Sequence, residues 1–158
     1  MRKILTGGLA VFAGMVSLPS PVAPYLSHKV PAPDYRQDQR LERLRKFFAK
    51  SDCPAGNYAH VFLEAADDYG LDWRLLPSIA YLESGGGKAA AHNNIFGWDS
   101  GKAQFHSPTA VIHTVGYRLA YSPRYRDKNV DELLATYNPV PEYAQKVKSV
   151  MRRISPVE

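Results

Sequence analysis

A chain of 158 residues is long enough for one domain with a hydrophobic core, and two such domains would be difficult to fit. The apolar fraction of 45% and the charged fraction of 22% are typical of a soluble globular protein. The single cysteine, Cys53, excludes an intramolecular disulfide and a cysteine-based metal site. The net charge of +5 suits anionic polymers of the cell wall, and no basic run with interleaved aromatic residues supports nucleic-acid binding.

The N-terminal segment has the pattern of an export signal. Arg2 and Lys3 precede an apolar stretch over residues 4–18, which is shorter than the ~20 residues of a membrane-spanning helix. We therefore predict that residues 1–18 are a signal peptide or an N-terminal anchor, and that the protein is periplasmic or extracellular. Five prolines in residues 19–33 predict an extended linker. Residues 34–158 are predicted to form one domain.

The apolar residues of this domain recur at the spacing of α-helices. The helices are predicted, in chain order, around the apolar stripe of residues 41–48 and over residues 52–70, 75–82, 107–119, 130–137 and 141–154. Asp72 is a plausible N-cap for the third helix, but Pro77 would then lie late in it. That helix therefore either begins near Leu75 or is kinked.

The segment between the third and fourth helices has no helical period. Residues 94–98 and 103–105 are predicted either to pair as a small hairpin around Asp99–Gly101 or to be irregular. The expected fold class is mainly α, with this short β-like or irregular insert.

Glu83 is the acidic residue whose position best suits catalysis. A glycosidase needs a protonated carboxyl group beside the bond that it cleaves, in surroundings that favour the protonated form. Glu83 follows the apolar run 79–82 and lies in the last turn of the predicted helix, where the helix dipole disfavours a negative charge. The glycines at 85–87 are expected to leave room for a bulky polymer. The alternative for such a glutamate is a solvated surface residue.

Two motifs around Glu83 indicate a family. An apolar helix ending in Glu83-Ser-Gly is followed by Gly87-Lys88 and then by Asn93-Asn-Ile-Phe-Gly97. This pattern resembles the signature of the bacterial glucosaminidase family (endo-β-N-acetylglucosaminidase-like) of the lysozyme superfamily, with isoleucine in place of the usual leucine. A looser match to Tyr137-Asn138 and to Tyr143 with Val147 extends the resemblance over about residues 58–154. The resemblance implies a lysozyme-like helical domain with the insert beside a cleft.

The resemblance also implies roles for individual residues. Glu83 would be the general acid that protonates the leaving glycosidic oxygen, and Tyr137 would donate a hydrogen bond to Glu83 or to the substrate's acetamido group. Trp98 and Phe105 are aromatic residues that could stack on sugar rings. For Phe96 and Asn138 a structural role, as core anchor and helix cap, is an open alternative. The other residues expected to shape the cleft or bind substrate lie beside Glu83 or in the facing loop: Ser84, Asn93, Asn94, Phe96 and Asn138.

A second carboxylate is harder to find. Two-carboxylate glycosidases place their acidic groups roughly 5 to 9.5 Å apart. Asp99, in the predicted insert, is the only acidic residue near the expected far wall of the cleft. We expect it to act as base or electrostatic stabiliser. If it does not, the enzyme would work with one glutamate, as lytic transglycosylases do, or through the substrate's own N-acetyl group.

The expected function is hydrolysis of the peptidoglycan glycan backbone at an N-acetylglucosaminyl bond. One alternative keeps the fold and Glu83 but gives a lytic transglycosylase-type product. The other is a non-catalytic wall-binding module on a degenerate lysozyme scaffold. No cofactor and no metal are expected, since the histidines lack metal-ligand spacing with a third partner. The expected partners are peptidoglycan glycan strands, with no nucleic acid, membrane contact only through the N-terminal anchor, and a monomeric state.

Overall fold

The computed structural model describes residues 33–156. The predicted signal peptide or anchor (1–18) and all but the last residue of the predicted linker (19–33) lie outside the described residues. Within residues 33–156 the chain is mainly helical and contains no strand, which confirms the mainly α fold class. None of the helices in this range has both the length and the apolar character needed to span a membrane.

Six α-helices and two short 3₁₀ helices make up the described chain. The 3₁₀ helices are Tyr35–Gln37 and Pro54–Tyr58. The α-helices are α1 (Gln39–Lys50), α2 (Ala59–Tyr69), α3 (Leu75–Ser84), α4 (Pro108–Tyr121), α5 (Val130–Tyr137) and α6 (Pro141–Ile154). The bounds of α5 and α6 agree with the sequence prediction, whereas the predicted second helix begins as the second 3₁₀ helix.

Local sequence signals explain where the helices begin and end. The Ser107 hydroxyl accepts a hydrogen bond from the amide of Ala110 at 3.1 Å, so it caps α4. Asn129 and Glu132 form a reciprocal capping box at the start of α5. The third helix begins at Leu75, which places Pro77 in its first turn, where an amide hydrogen has no partner within the helix. The prediction of a start near Leu75 is therefore confirmed.

Helix α3 is buried over more than half of its length. Every residue from Leu75 to Ala80 is buried, and the helix packs mainly on α6. Helix α2 packs on α4, where a Cβ at Gly116 would lie 2.8 Å from the Tyr69 ring, so only glycine permits this approach. Because α3 is held by the core along most of its length, the position of its last turn is fixed relative to α6.

The insert between α3 and α4 is irregular, and the hairpin alternative is wrong. Asp99 and Ser100 have φ values of 54° and 53°, as in a type I′ hairpin turn, and the amide of Gly101 donates to the Trp98 carbonyl at 3.2 Å. The flanking residues nevertheless do not pair as strands. The Asn94 side chain forms hydrogen bonds with both the amide and the carbonyl of Trp98. The Phe105 amide donates to the backbone carbonyl of His92 and not to a residue of 94–98.

Candidate functional site

Glu83 lies in the last turn of α3 with its side chain exposed to solvent. Its Oε1 accepts a hydrogen bond from the Tyr143 hydroxyl of α6 at 2.6 Å. Its Oε2 lies on the other side, where a Cβ at Gly97 would come within 3.0 Å of it. The apolar surroundings expected for Glu83 are therefore confined to its backbone, since the carboxylate itself has a polar partner and contact with solvent.

Glu83 lines a groove whose volume of about 750 Å³ is within the usual range for ligand sites. Four parts of the chain form its walls: the end of α3, the insert, the end of α4 with the turn after it, and the end of α5. The groove residues that matter for the chemistry are Glu83, Trp98, Asp99, Arg118, Arg124, Tyr125, Tyr137 and Asn138.

The hydrogen bond expected between Tyr137 and Glu83 is absent, and Tyr143 forms it instead. The Tyr137 hydroxyl donates its hydrogen bond to the Phe96 carbonyl of the insert at 2.6 Å, so it does not donate to Glu83. The two tyrosine rings stack with centroids 5.9 Å apart. Helix α6 brings Tyr143 behind Glu83, whereas Tyr137, at the end of α5, lies against the groove wall.

Both phenols remain protonated over the whole ordinary pH range. Burial raises the pKa of Tyr137, and the nearby Glu83 carboxylate raises it further. Burial also raises the pKa of Tyr143, with additional contributions from its hydrogen bond to Glu83 and from the Glu83 charge. Tyr143 is therefore a constant hydrogen-bond donor to Glu83.

Ser84 holds the insert to α3, which corrects its expected role in substrate binding. Its side chain is buried, and its hydroxyl donates to the Ile95 carbonyl at 2.8 Å and accepts from the Gly87 amide at 2.9 Å. It also lies 3.2 Å from the Ala80 carbonyl. With these partners inside the protein, the hydroxyl is not available to a sugar.

The motif at residues 93–97 is also largely structural. Asn94 is buried and closes a turn by bonding both backbone groups of Trp98. The Phe96 side chain is fully buried against Phe62, which supports the core-anchor alternative for it. Of this motif, Phe96 and Gly97 line the groove, and Gly97 has a φ of 61° in addition to its close approach to Glu83. A side chain at position 97 would be strained and would displace the carboxylate.

Asn93, Phe105 and Asn138 have different positions. Asn93 donates to the Phe105 carbonyl at 2.8 Å and lines a separate small cavity, so it does not bind a ligand beside Glu83. Phe105 is half-buried and does not line the groove. Asn138 lines the groove and is the C-cap of α5 through its backbone, and its side-chain oxygen accepts from the Val140 amide at 3.0 Å in the turn before α6.

The three glycines after Ser84 do not keep the groove open, contrary to the sequence expectation. Gly85, with a φ of 62°, ends α3 in the left-handed conformation. A Cβ at Gly86 would lie 2.8 Å from the Cβ of Cys53, so this glycine permits close packing of the second 3₁₀ helix. Gly87 lines the separate small cavity that includes Asn93.

Asp99 and Trp98 line the same groove as Glu83, as the sequence predicted. Asp99 is exposed at the tip of its turn, and its left-handed backbone is one that aspartate tolerates better than most residues. The Trp98 ring is half-buried, with its centroid 5.8 Å from that of Tyr137 and 6.3 Å from that of Tyr125. These contacts hold the indole as a fixed part of the wall.

Four residues of the site were not predicted from the sequence. Tyr143 was present in the quoted motif, but nothing in the motif indicates that its hydroxyl reaches Glu83. Tyr125 is buried in the wall, and burial raises its pKa. Arg118 and Arg124 also line the groove. No sequence signal distinguishes these two arginines from the other basic residues of the chain.

The groove thus combines one carboxylate with a fixed hydrogen bond, a second exposed carboxylate, an aromatic wall and two guanidinium groups. Among residues 33–156, no group of three His, Cys, Asp or Glu side chains is arranged to hold a metal ion. The chemistry that the two carboxylates make available to this site is proton transfer.

We predict that Ser84→Ala lowers the free energy of unfolding by about 1–3 kcal/mol, because the Ile95 carbonyl and the Gly87 amide lose their partner. Urea unfolding measures this change. Ser149→Ala, which removes an exposed hydroxyl on α6, is the control and should change stability by less than about 0.5 kcal/mol. A Ser84→Ala protein with unchanged stability but weaker saccharide binding would restore the substrate-binding role.

No protein-family model, no curated protein and no solved structure matches this chain. The resemblance to the glucosaminidase family therefore depends on the sequence motifs alone.

Proposed function

We propose that this protein cleaves the glycan backbone of peptidoglycan at an N-acetylglucosaminyl bond, with Glu83 as the general acid. The observation that supports this most directly is the placement of Glu83. Its carboxylate is exposed in a groove of about 750 Å³, lies at the end of a buried helix and is oriented by the Tyr143 hydroxyl. A catalytic acid needs such fixed geometry together with access to a polymeric substrate.

The proposed partner and location follow from the same reaction. An open groove with an aromatic wall suits a saccharide chain, because sugar rings offer apolar faces to stack and hydroxyl groups to bond. A protein acting on peptidoglycan must be exported, so we also propose a periplasmic or extracellular location, consistent with the pattern of residues 1–18.

A lytic transglycosylase-type reaction is the second candidate, and one observation favours it. Glu83 has a fixed side-chain partner, whereas Asp99 is exposed at the tip of a turn and has no side-chain hydrogen bond within residues 33–156. The lytic transglycosylase-type reaction needs only one positioned acid, and Glu83 is the positioned carboxylate of the two.

The test of the proposed function is digestion of purified peptidoglycan by the full chain, with product analysis by mass spectrometry. We expect soluble fragments whose new ends are reducing sugars if water attacks, or anhydro-sugars if the transglycosylase reaction occurs. Glu83→Gln should lower release by at least about 10²-fold, because it removes the proton donor while keeping the size of the side chain. No release by the wild type above the background level of Glu83→Gln would refute both enzymatic candidates and leave the wall-binding module.

Asp99→Asn tests whether a second carboxylate takes part. If Asp99 is the base or stabiliser, turnover should fall by about 10²-fold or more. Asparagine also tolerates the left-handed backbone of this turn, so the loop should keep its shape. The matched control is Asp127→Asn, since Asp127 is also exposed with a φ of 64° but does not line the groove. A change below about threefold for Asp99→Asn would remove Asp99 from the mechanism.

Tyr143→Phe should lower turnover by about tenfold or more, because one charge-assisted hydrogen bond to Glu83 is lost. The loss should fall on kcat rather than on KM, because Tyr143 orients Glu83 and does not itself line the groove. Tyr143 is in this respect a positioning residue.

Tyr137→Phe is the control for that experiment. It removes the bond to the Phe96 carbonyl and leaves the Glu83 hydrogen bond in place. We expect lower thermal stability, with kcat lowered less than in Tyr143→Phe. If Tyr137→Phe lowers kcat more than Tyr143→Phe does, the assignment of the two tyrosines is reversed.

A further inference from the structure

Two arginines lie along one wall of the groove that contains Glu83. Arg118 is in the last turns of α4, and Arg124 is in the turn that follows this helix. Both side chains are exposed to solvent. A ligand in the groove would therefore meet two positive charges as well as the two carboxylates.

Each guanidinium group rests on an aromatic ring of the same wall. The Arg118 group lies 5.3 Å from the centroid of Trp98, and the Arg124 group lies 5.8 Å from that of Tyr125. One N–H of Arg124 also donates to the Thr136 carbonyl at 3.1 Å. Stacking occupies the face of a guanidinium and leaves the N–H groups at its edge able to donate. The two groups are thus positioned while retaining donors for a ligand.

Neither arginine is neutralised by the protein. Some other arginines of the described chain have carboxylate partners, as in the bonds of Arg40 to Asp38 and Asp67 and of Arg74 to Asp72. Within residues 33–156, Arg118 and Arg124 form no ion pair with an aspartate or glutamate. This holds although Glu83 and Asp99 line the same groove.

We propose that Arg118 and Arg124 form a carboxylate-binding subsite, so that the saccharide preferred beside Glu83 is an acidic one. This inference rests on the proposed function, because it takes the groove to be the site of the glycan strand. A guanidinium presents its N–H donors in a fixed fork that matches the two oxygens of a carboxylate. A neutral saccharide of equal length lacks that partner and leaves both charges unpaired.

Peptidoglycan offers such a carboxylate from two sources. One is the lactyl group of a muramic acid residue that carries no peptide. The other is a carboxylate of an attached stem peptide, in which case the lactyl group is an amide and uncharged. The shared chemistry is a carboxylate displaced to one side of the glycan backbone, and the ligands of the experiment separate the two sources.

The experiment measures binding by isothermal titration calorimetry to the full chain carrying Glu83→Gln, so that no ligand is cleaved. The ligands are tetrasaccharides of alternating N-acetylglucosamine and N-acetylmuramic acid in three forms: with free lactyl carboxylates, with their methyl esters, and with stem peptides attached. We expect at least one carboxylate form to bind about tenfold more tightly than the ester, with the tighter form identifying the source.

Variants of the wall identify the groups responsible. Arg118→Gln and Arg124→Gln should each remove most of the preference for the acidic ligand and leave binding of the ester within about twofold. Arg118→Lys and Arg124→Lys keep the charge but lose the fork, so the preference should fall for these variants as well. The control is Arg126→Gln, which makes the same charge change two residues away, at a side chain that lies beside Asp127 and does not line the groove. Thermal melting checks that every variant is folded.

Two results would overturn the subsite. One is equal binding of the acidic and ester ligands, and the other is a loss of preference in Arg126→Gln as large as that in Arg124→Gln, which would indicate general attraction by charge. Failure of the proposed function is measured separately, as peptidoglycan release by the wild type compared with Glu83→Gln. Release that depends on Glu83 without a carboxylate preference overturns only the subsite. Absence of binding by all three saccharides overturns the groove as the glycan site as well.

Discussion

The Ser84 hydroxyl joins the end of α3 to the insert, and the geometry around Glu83 depends on this contact. Through it the last turn of a buried helix is bonded to the Ile95 carbonyl and the Gly87 amide, across a segment with no regular secondary structure. The next residues of the insert then pass beside Glu83, with Gly97 against its Oε2. A loop held in this way can present backbone close to a carboxylate without a strand to support it, because a buried side chain satisfies its polar groups.

Helix α6 supplies the second constraint on the site. It packs along α3 and brings the Tyr143 hydroxyl to Glu83, while Tyr137 at the end of α5 is bonded to the insert. The two stacked tyrosines therefore have separate functions, one orienting the acid and the other holding the facing loop. Since burial raises the pKa of both phenols, both hydroxyls remain hydrogen-bond donors over the ordinary pH range.

The groove has an uneven distribution of charge. Glu83 and Asp99 are carboxylates, whereas Arg118 and Arg124 form a positive wall stacked on Trp98 and Tyr125. The arginine wall would bind a part of the substrate that does not react. That binding energy would help to hold the scissile bond beside Glu83. The wall and the acid thus belong to one proposed reaction, with the wall selecting the strand and the acid acting on it.

The sequence by itself determined the helices and the position of Glu83. The apolar periodicity is a local signal, so it identified α5 and α6 with their bounds and placed Glu83 at a helix end. Only the tertiary structure decided which side chains meet there. The Tyr143–Glu83 bond joins residues 60 apart, and the inward orientation of Ser84 and Asn94 depends on how the insert packs. Contacts of this kind follow from the packing of α3 against α6 and of the insert against α3, and no local pattern of residues specifies them.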